Sequence, residues 1–334
     1  MSGKASPHDA VFRRMLGEPA NAASQLQAVL PPELADKLDL RRLNRVAGSF
    51  VDAELRWRHT DLLFTAPLAG RDAFIYVLVE HQSSTDELMS FRMLRYMVRI
   101  WDRYLAERPK AQRLPVVIPL VVHHNRRPWD APTELADVLD LDPDTAKSAG
   151  EHLPRLRFML DDLTMVDEAA LRARPVTPPV RMTLLLLKIA SGNANLAEDL
   201  QNWADDLRAV LRRPDGTKDF VTLLTYIERV GEAPVEQLHH LFAGLGPAAE
   251  EAFVTTAEQL EARGEARGEA RGEARGEARG EARGRAEALA QFLSLKFGPL
   301  PPTALDRVHA ATIDQLETWT SRVLTADNLE EVLR

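Results

Sequence analysis

Residues 58–82 constrain the fold more than any other segment, because their pattern predicts two β-strands joined by a tight turn. Ala73 to Val79 is apolar except for the Tyr76 hydroxyl, as expected of a strand that is buried on both faces. A turn at 69–72, centred between Gly70 and Arg71, would place Asp61 directly opposite Glu80. Opposed residues share a face of the sheet, with Cβ atoms about 5 Å apart.

Asp61, Glu80 and Gln82 would then converge at one end of an otherwise apolar hairpin. Two carboxylates held that close repel each other unless a proton or a cation lies between them. Mg²⁺ takes one or two carboxylates together with water and phosphate oxygens. The alternative is simpler: the strand ends, and residues 80–85 form a polar exit loop.

The motifs TDLLF and FIYVLVEHQSSTDELMSFRMLRYM, together with the N-terminal HDAVFRRML, resemble one known family. They are similar to the Rpn recombination-promoting nucleases, also described as YhgA-like putative transposases, of the PD-(D/E)XK nuclease superfamily. The resemblance covers roughly residues 7–250. It implies a mixed α/β (α+β) nuclease core at about 40–160, with a mixed β-sheet flanked by helices. An all-helical extension at about 165–250 would complete a domain spanning 1–250.

The resemblance also implies roles for individual residues. Asp61 and Glu80 would be metal ligands, and the backbone carbonyl of His81 a further one, for Mg²⁺ or Mn²⁺. Gln82 stands where the wider superfamily usually has a lysine, and Glu-x-Gln is the form typical of this family. Asp61, Glu80 and Gln82 are therefore the candidate catalytic residues, with no cofactor site besides the metal.

Helical spacing over residues 86–108 places four arginines on one stripe and apolar residues on another. An arginine stripe directly after the metal-binding strand suits the phosphates of double-stranded DNA, although a solvated helix face is an equal alternative. The four residues are Arg92, Arg95, Arg99 and Arg103. His8 and Asp9, in the N-terminal motif, are expected to cap or pack rather than to catalyse.

Residues 261–284 are six copies of Glu-Ala-Arg-Gly. In a helix the like charges would lie four residues apart, and each glycine would cost about 1 kcal/mol relative to alanine. The segment is therefore expected to be an adaptable linker, with helical self-association into a homo-oligomer as the lesser alternative. Residues 285–334 resemble a small domain of unknown function (DUF4351) and predict a helical C-terminal domain.

The net charge of −8 argues against a protein that coats DNA by bulk electrostatics, but permits an enzyme with a locally basic groove. Zero cysteines exclude disulfides and thiolate metal sites. With no signal segment and no apolar run of about 20 residues, the chain is expected to be cytoplasmic and without a membrane partner.

These features predict a divalent-metal-dependent DNA endonuclease, and the resemblance implies that it promotes recombination. Two alternatives remain open. One is a transposase with strand-transfer activity, for which no third spaced acid can be placed. The other is a catalytically silent nuclease fold that binds DNA or assembles with partners.

Overall fold

The structure is a computed structural model that describes residues 6–46, 62–80 and 86–334. A five-stranded sheet forms its centre, with the strands in chain order across the sheet. The two pairs at one side, β1–β2 and β2–β3, are antiparallel, whereas β3–β4 and β4–β5 are parallel. The predicted mixed sheet is confirmed. Its strands are β1 (Asn44–Arg45), β2 (Leu62–Leu68), β3 (Arg71–Glu80), β4 (Val116–His123) and β5 (Met159–Asp162).

The hairpin turn is shorter than the sequence predicts. Ala69 and Gly70 alone connect β2 to β3, with φ values of 47° and 77°. Two successive positive φ angles are typical of the tight hairpin turn that matches strand twist. Leu62 therefore pairs with Val77, not with Val79 as the predicted register requires. The predicted register is wrong by two residues, a shift that leaves each paired residue on its expected face.

Alternating residues of the strands enter two separate cores. Leu62, Phe64 and Ile75 belong to the larger core, whereas Leu63 and Phe74 belong to the smaller one. The smaller core is closed by the helix α4 (Met89–Glu107). Its buried residues in this core are Met89, Met93, Tyr96, Met97 and Ile100. This helix lies close to its predicted range. The first helices are α1 (Pro7–Met15), α2 (Pro19–Val29), α3 (Pro32–Ala35), α4 (Met89–Glu107) and α5 (Pro143–Ala149).

The larger core is filled by the predicted helical extension. Its helix α7 (Pro178–Ile189) is buried along nearly its whole length, because residues 184–187 are four consecutive leucines that all pack inward. Trp203, Phe220 and Phe242, each fully buried, bring the following helices onto it. The extension comprises α6 (Glu168–Ala173), α7 (Pro178–Ile189), α8 (Leu196–Gln201), α9 (Ala204–Leu211), α10 (Gly216–Val230) and α11 (Val235–Leu245).

The Glu-Ala-Arg-Gly repeat is helical, contrary to the expectation of a linker. It lies inside α12 (Pro247–Phe297), a continuous helix of 51 residues. Propensity alone misses this outcome because helix nucleation is the costly step, and here both flanks are already helical and anchored. Ala249 and Phe253 are buried in the larger core before the repeat, and Leu289 and Leu293 are buried in a third core after it.

The chain divides into two compact units, Met1–Ala257 and Glu258–Arg334. In the second unit, Leu289 and Leu293 of α12 pack with Val308, Leu316 and Trp319. The side chain of Thr312 accepts a hydrogen bond from the Gln315 backbone N–H, and the Gln315 side chain accepts one from the Thr312 N–H. The predicted three short helices are present as α13 (Pro302–His309), α14 (Ile313–Val323) and α15 (Leu329–Leu333).

Candidate functional site

The carboxyl ends of β3, β4 and β5 lie at the same edge of the sheet, because these strands are parallel. At this edge Glu80 pairs with His123, and His123 pairs with Asp162. Of the predicted site residues, Glu80 is thus placed as the last residue of its strand. The predictions for Asp61, His81 and Gln82 lie outside the residues that the structure describes.

His123 is fully buried at this edge, and the hydrogen bond it makes fixes its tautomer. Its Nε2 lies 3.1 Å from the carbonyl oxygen of Arg127, and a carbonyl only accepts, so Nε2 carries the proton in the neutral ring. The Nδ1 atom is then an acceptor, and it has no hydrogen-bond partner within the described ranges. A buried acceptor left open at the end of a central strand costs stability unless something donates to it.

Asp162 is a second carboxylate at this edge of the sheet, but both of its oxygens already accept hydrogen bonds. Oδ1 accepts hydrogen bonds from the Thr164 N–H at 3.0 Å and from the Thr164 hydroxyl at 2.8 Å. Oδ2 accepts one from the Trp129 N–H at 2.8 Å. The Trp129 ring in turn stands edge-on against His123, with ring centroids 5.2 Å apart. Asp162 therefore holds the loop that packs on His123.

A cluster of His8, His124 and Tyr226 lies where α1 and α10 meet the end of β4. The hydroxyl of Tyr226 is 2.7 Å from His8 Nδ1, and the two histidine rings are 5.0 Å apart. Burial raises the pKa of the Tyr226 phenol, so it stays protonated at neutral pH. Sequence reasoning missed Tyr226, because no local signal links residues that are 218 positions apart.

Asp9 caps α1, as predicted. Its carboxylate accepts a hydrogen bond from the Ser6 N–H, and the Ser6 hydroxyl accepts one from the Asp9 N–H, which completes a capping box. The packing role predicted for His8 agrees with its ring contacts to His124 and Tyr226.

The arginine stripe on α4 divides into two pairs. The guanidinium of Arg92 is 2.6 Å from Asp86, and only 15% of its side chain is exposed. Arg103 is 2.8 Å from Glu107, one turn further along the helix. Arg95 and Arg99 are exposed. Arg92 and Arg103 are thus engaged in local ion pairs, and Arg95 and Arg99 expose their side chains to solvent.

Among the residues of 6–46, 62–80 and 86–334, no group of three or more His, Asp or Glu side chains could hold a metal ion. Within the same residues, no helix is both long and apolar enough to span a membrane.

The mixed sheet with helices on both faces, followed by a helical region, is an α+β nuclease-like core. The chain belongs to the family of YhgA-like putative transposases, whose family model matches residues 6–218.

Its relatives carry two kinds of name. The recombination-promoting nuclease RpnD of Escherichia coli O157:H7 is 32% identical, over 76% of this chain and 94% of the relative. RpnA of E. coli K12, also named a recombination-promoting nuclease, is 28% identical over 79% of this chain and 87% of its own. RpnE of the same strain is named an inactive recombination-promoting nuclease-like protein. It is 28% identical, over 79% of this chain and 84% of the relative. No solved structure matches the chain.

Proposed function

We propose that this protein is a divalent-metal-dependent DNA endonuclease that promotes recombination. The observation that supports the proposal best is the position of Glu80, which ends β3 at the carboxyl edge of the parallel strands beside the buried His123. The names of RpnD and RpnA, relatives over most of the chain, support a nuclease with a role in recombination.

The proposed ligands fit a hard cation by their chemistry. Asp61, Glu80 and the carbonyl of His81 would offer only oxygen atoms, which Mg²⁺ and Mn²⁺ accept. The open Nδ1 of His123 lies at the same edge, and as a nitrogen it suits a water proton better than Mg²⁺. A bound divalent ion would supply positive charge that lowers the pKa of a nearby water and stabilises the scissile phosphate.

The chain's own residues would orient the reactants. Asp61 and Glu80 would fix the position of the ion through their carboxylates. Gln82 carries no charge, but its amide can both donate to and accept from a water, and so can aim that water at phosphorus. Double-stranded DNA would be held by exposed arginines such as Arg95 and Arg99.

Plasmid cleavage by the purified protein tests the proposal, with Mg²⁺, Mn²⁺, Ca²⁺ or EDTA. We expect cleavage with Mg²⁺ or Mn²⁺ and none with EDTA. Asp61→Ala and Glu80→Ala should each abolish it with unchanged melting temperature. Asp72→Ala is the matched control, because Asp72 is an exposed acid on the same strand as Glu80, next to the hairpin turn. Wild-type rates in either site variant would show that the site is assigned wrongly.

The relative that is named inactive supports a second candidate, a nuclease fold that binds DNA without cutting it. This candidate predicts metal-independent DNA binding and no cleavage by the wild-type protein with any of the cations. The same reactions also separate hydrolysis from strand transfer, since a transposase would join DNA ends into new products that gel electrophoresis resolves.

A further inference from the structure

The second unit contains a basic cleft of about 420 Å³ between α13, α14 and the end of the chain. Three guanidinium groups line it, those of Arg307, Arg322 and Arg334, together with a single side-chain carboxylate, that of Asp314. The side chains of the lining therefore carry a formal charge of about +2. Residues 285–334 as a whole contain five Lys and Arg against seven Asp and Glu, so the cleft is a local exception in an acidic segment.

The other two cations of this segment are already engaged. Arg285 pairs with both Glu281 and Glu317. Lys296 donates a hydrogen bond to the carbonyl of Val323 at 2.7 Å. By contrast, no Asp or Glu side chain among the residues described forms an ion pair with Arg307, Arg322 or Arg334. The uncompensated positive charge of the segment is thus gathered in one concavity.

Two further residues of the lining are Gln315, which can donate a hydrogen bond, and Trp319. Gln315 uses its side-chain oxygen to accept the Thr312 N–H at 2.9 Å, as part of the capping box, so its NH₂ group is left to face a ligand. Trp319 is only 5% exposed and forms the floor of the cleft. A ring that is so covered offers no face on which a base could stack. The cleft therefore offers hydrogen-bond donors to phosphate but no platform for base stacking.

We propose that this cleft binds backbone phosphates of DNA and is a second DNA contact, separate from the site at Glu80. The proposal rests on DNA being the substrate under the proposed function. Arginine forks match phosphate oxygens in a bidentate manner, and phosphate contacts hold DNA without reading its sequence. Its role would be to raise the occupancy of DNA on the protein, not to take part in hydrolysis.

The test measures binding of a fluorescein-labelled DNA duplex to the full-length protein by anisotropy, over a range of salt concentrations, in EDTA. Excluding divalent cations makes the result independent of whether the protein cleaves DNA. Arg307→Gln combined with Arg322→Gln should weaken binding several-fold and lower the log–log salt slope by about two units, one for each lost phosphate contact. Asp314→Asn should strengthen binding, because it removes the only side-chain carboxylate of the lining.

Arg275→Gln combined with Arg279→Gln is the matched control. Both residues are exposed on α12, and the double substitution removes the same charge from the same unit without touching the cleft. An equal loss of binding in the control pair would mean that only net charge matters and would overturn the proposal. A slope unchanged by the cleft pair would do the same.

Competition distinguishes a DNA site from a site for a small phosphate compound. Inorganic phosphate or a mononucleotide, added at constant ionic strength, should displace the duplex only weakly. Micromolar binding of either compound, lost in the cleft pair while duplex binding is retained, would contradict the DNA assignment. Unchanged melting temperatures should accompany every variant, since the substituted side chains are all exposed.

Discussion

Replacing glycines in the repeat by alanine should strengthen the helix that contains them. Gly268, Gly272 and Gly276 have helical backbone conformations, and a Cβ atom added to each would meet no atom within 4 Å. Each substitution should therefore deliver its full propensity gain of about 1 kcal/mol, or about 3 kcal/mol for the three. Since roughly 1.4 kcal/mol corresponds to a tenfold change in an equilibrium, local opening of the segment should become about 100-fold rarer.

Amide hydrogen exchange of peptides from residues 261–284, followed by mass spectrometry, measures that opening directly. The matched control makes the opposite change, Ala266→Gly, Ala270→Gly and Ala278→Gly, at exposed positions of the same repeats. We expect slower exchange in the alanine variant and faster exchange in the glycine variant. Exchange at the rate of an unstructured peptide in all three proteins would show that the repeat is a linker and would refute the reasoning.

Three further predictions concern the first unit. Arg174→Ala should lower the free energy of unfolding by about 3–5 kcal/mol, because it leaves Asp161 buried without its bidentate partner at 2.8 and 2.9 Å; urea denaturation measures the loss. Glu228→Gln should raise the melting temperature at neutral pH but not at acidic pH, because burial raises the pKa of Glu228 and its ionised form destabilises the fold. Replacing Arg95 and Arg99 by glutamine should reduce the salt slope of DNA binding by up to about two units.

Each of these predictions has a clear contrary outcome. Retention of full stability by the Arg174 variant would mean that the pair with Asp161 is not formed. For Glu228, the sign follows from a folded-state pKa above the unfolded one: the acid favours folding only while it is protonated, and this contribution is lost as the pH rises. An equal effect of Glu228→Gln at acidic and neutral pH would exclude an ionisation effect. Arg92→Gln is the control for the stripe, because Arg92 is held by Asp86 and should alter stability, not the salt slope.

The sequence predicted those strands and helices whose own apolar residues show that they are buried. Ala73 to Val79 and the helix around Met93 carry long apolar runs or stripes, and both elements are found. The predicted hairpin register was wrong because Ala69 adopts a left-handed backbone conformation. Asn or Gly is usual at this position of a tight hairpin turn, so an alanine gives no sign of the turn. Helical structure of the repeat was missed because it depends on anchors at both flanks, which a local propensity sum does not include.

The residues of the candidate site could be predicted only where a local pattern in the sequence marks their position. Glu80 at the end of a buried strand follows from the apolar run before it. The open Nδ1 of His123 depends on a loop carbonyl at Arg127, and the contact of His8 with Tyr226 joins distant parts of the chain. His8 and Tyr226 meet only after the helical extension has packed, so that no window of sequence contains this contact. His123 and Arg127 are only four residues apart, but their contact depends on the path of a loop that Asp162 holds from another strand.

The two-residue turn at Ala69 and Gly70 sets a rule for how related chains can vary in length. The strand pairing keeps Leu62, Phe64 and Ile75 in one core, so a slip of one residue in the pairing would exchange their faces and drive them out of that core. An insertion in the turn itself leaves this pairing intact, because hairpin loops of three to five residues are also common. Homologous chains that keep the core should therefore vary in length at this turn and not within the two strands.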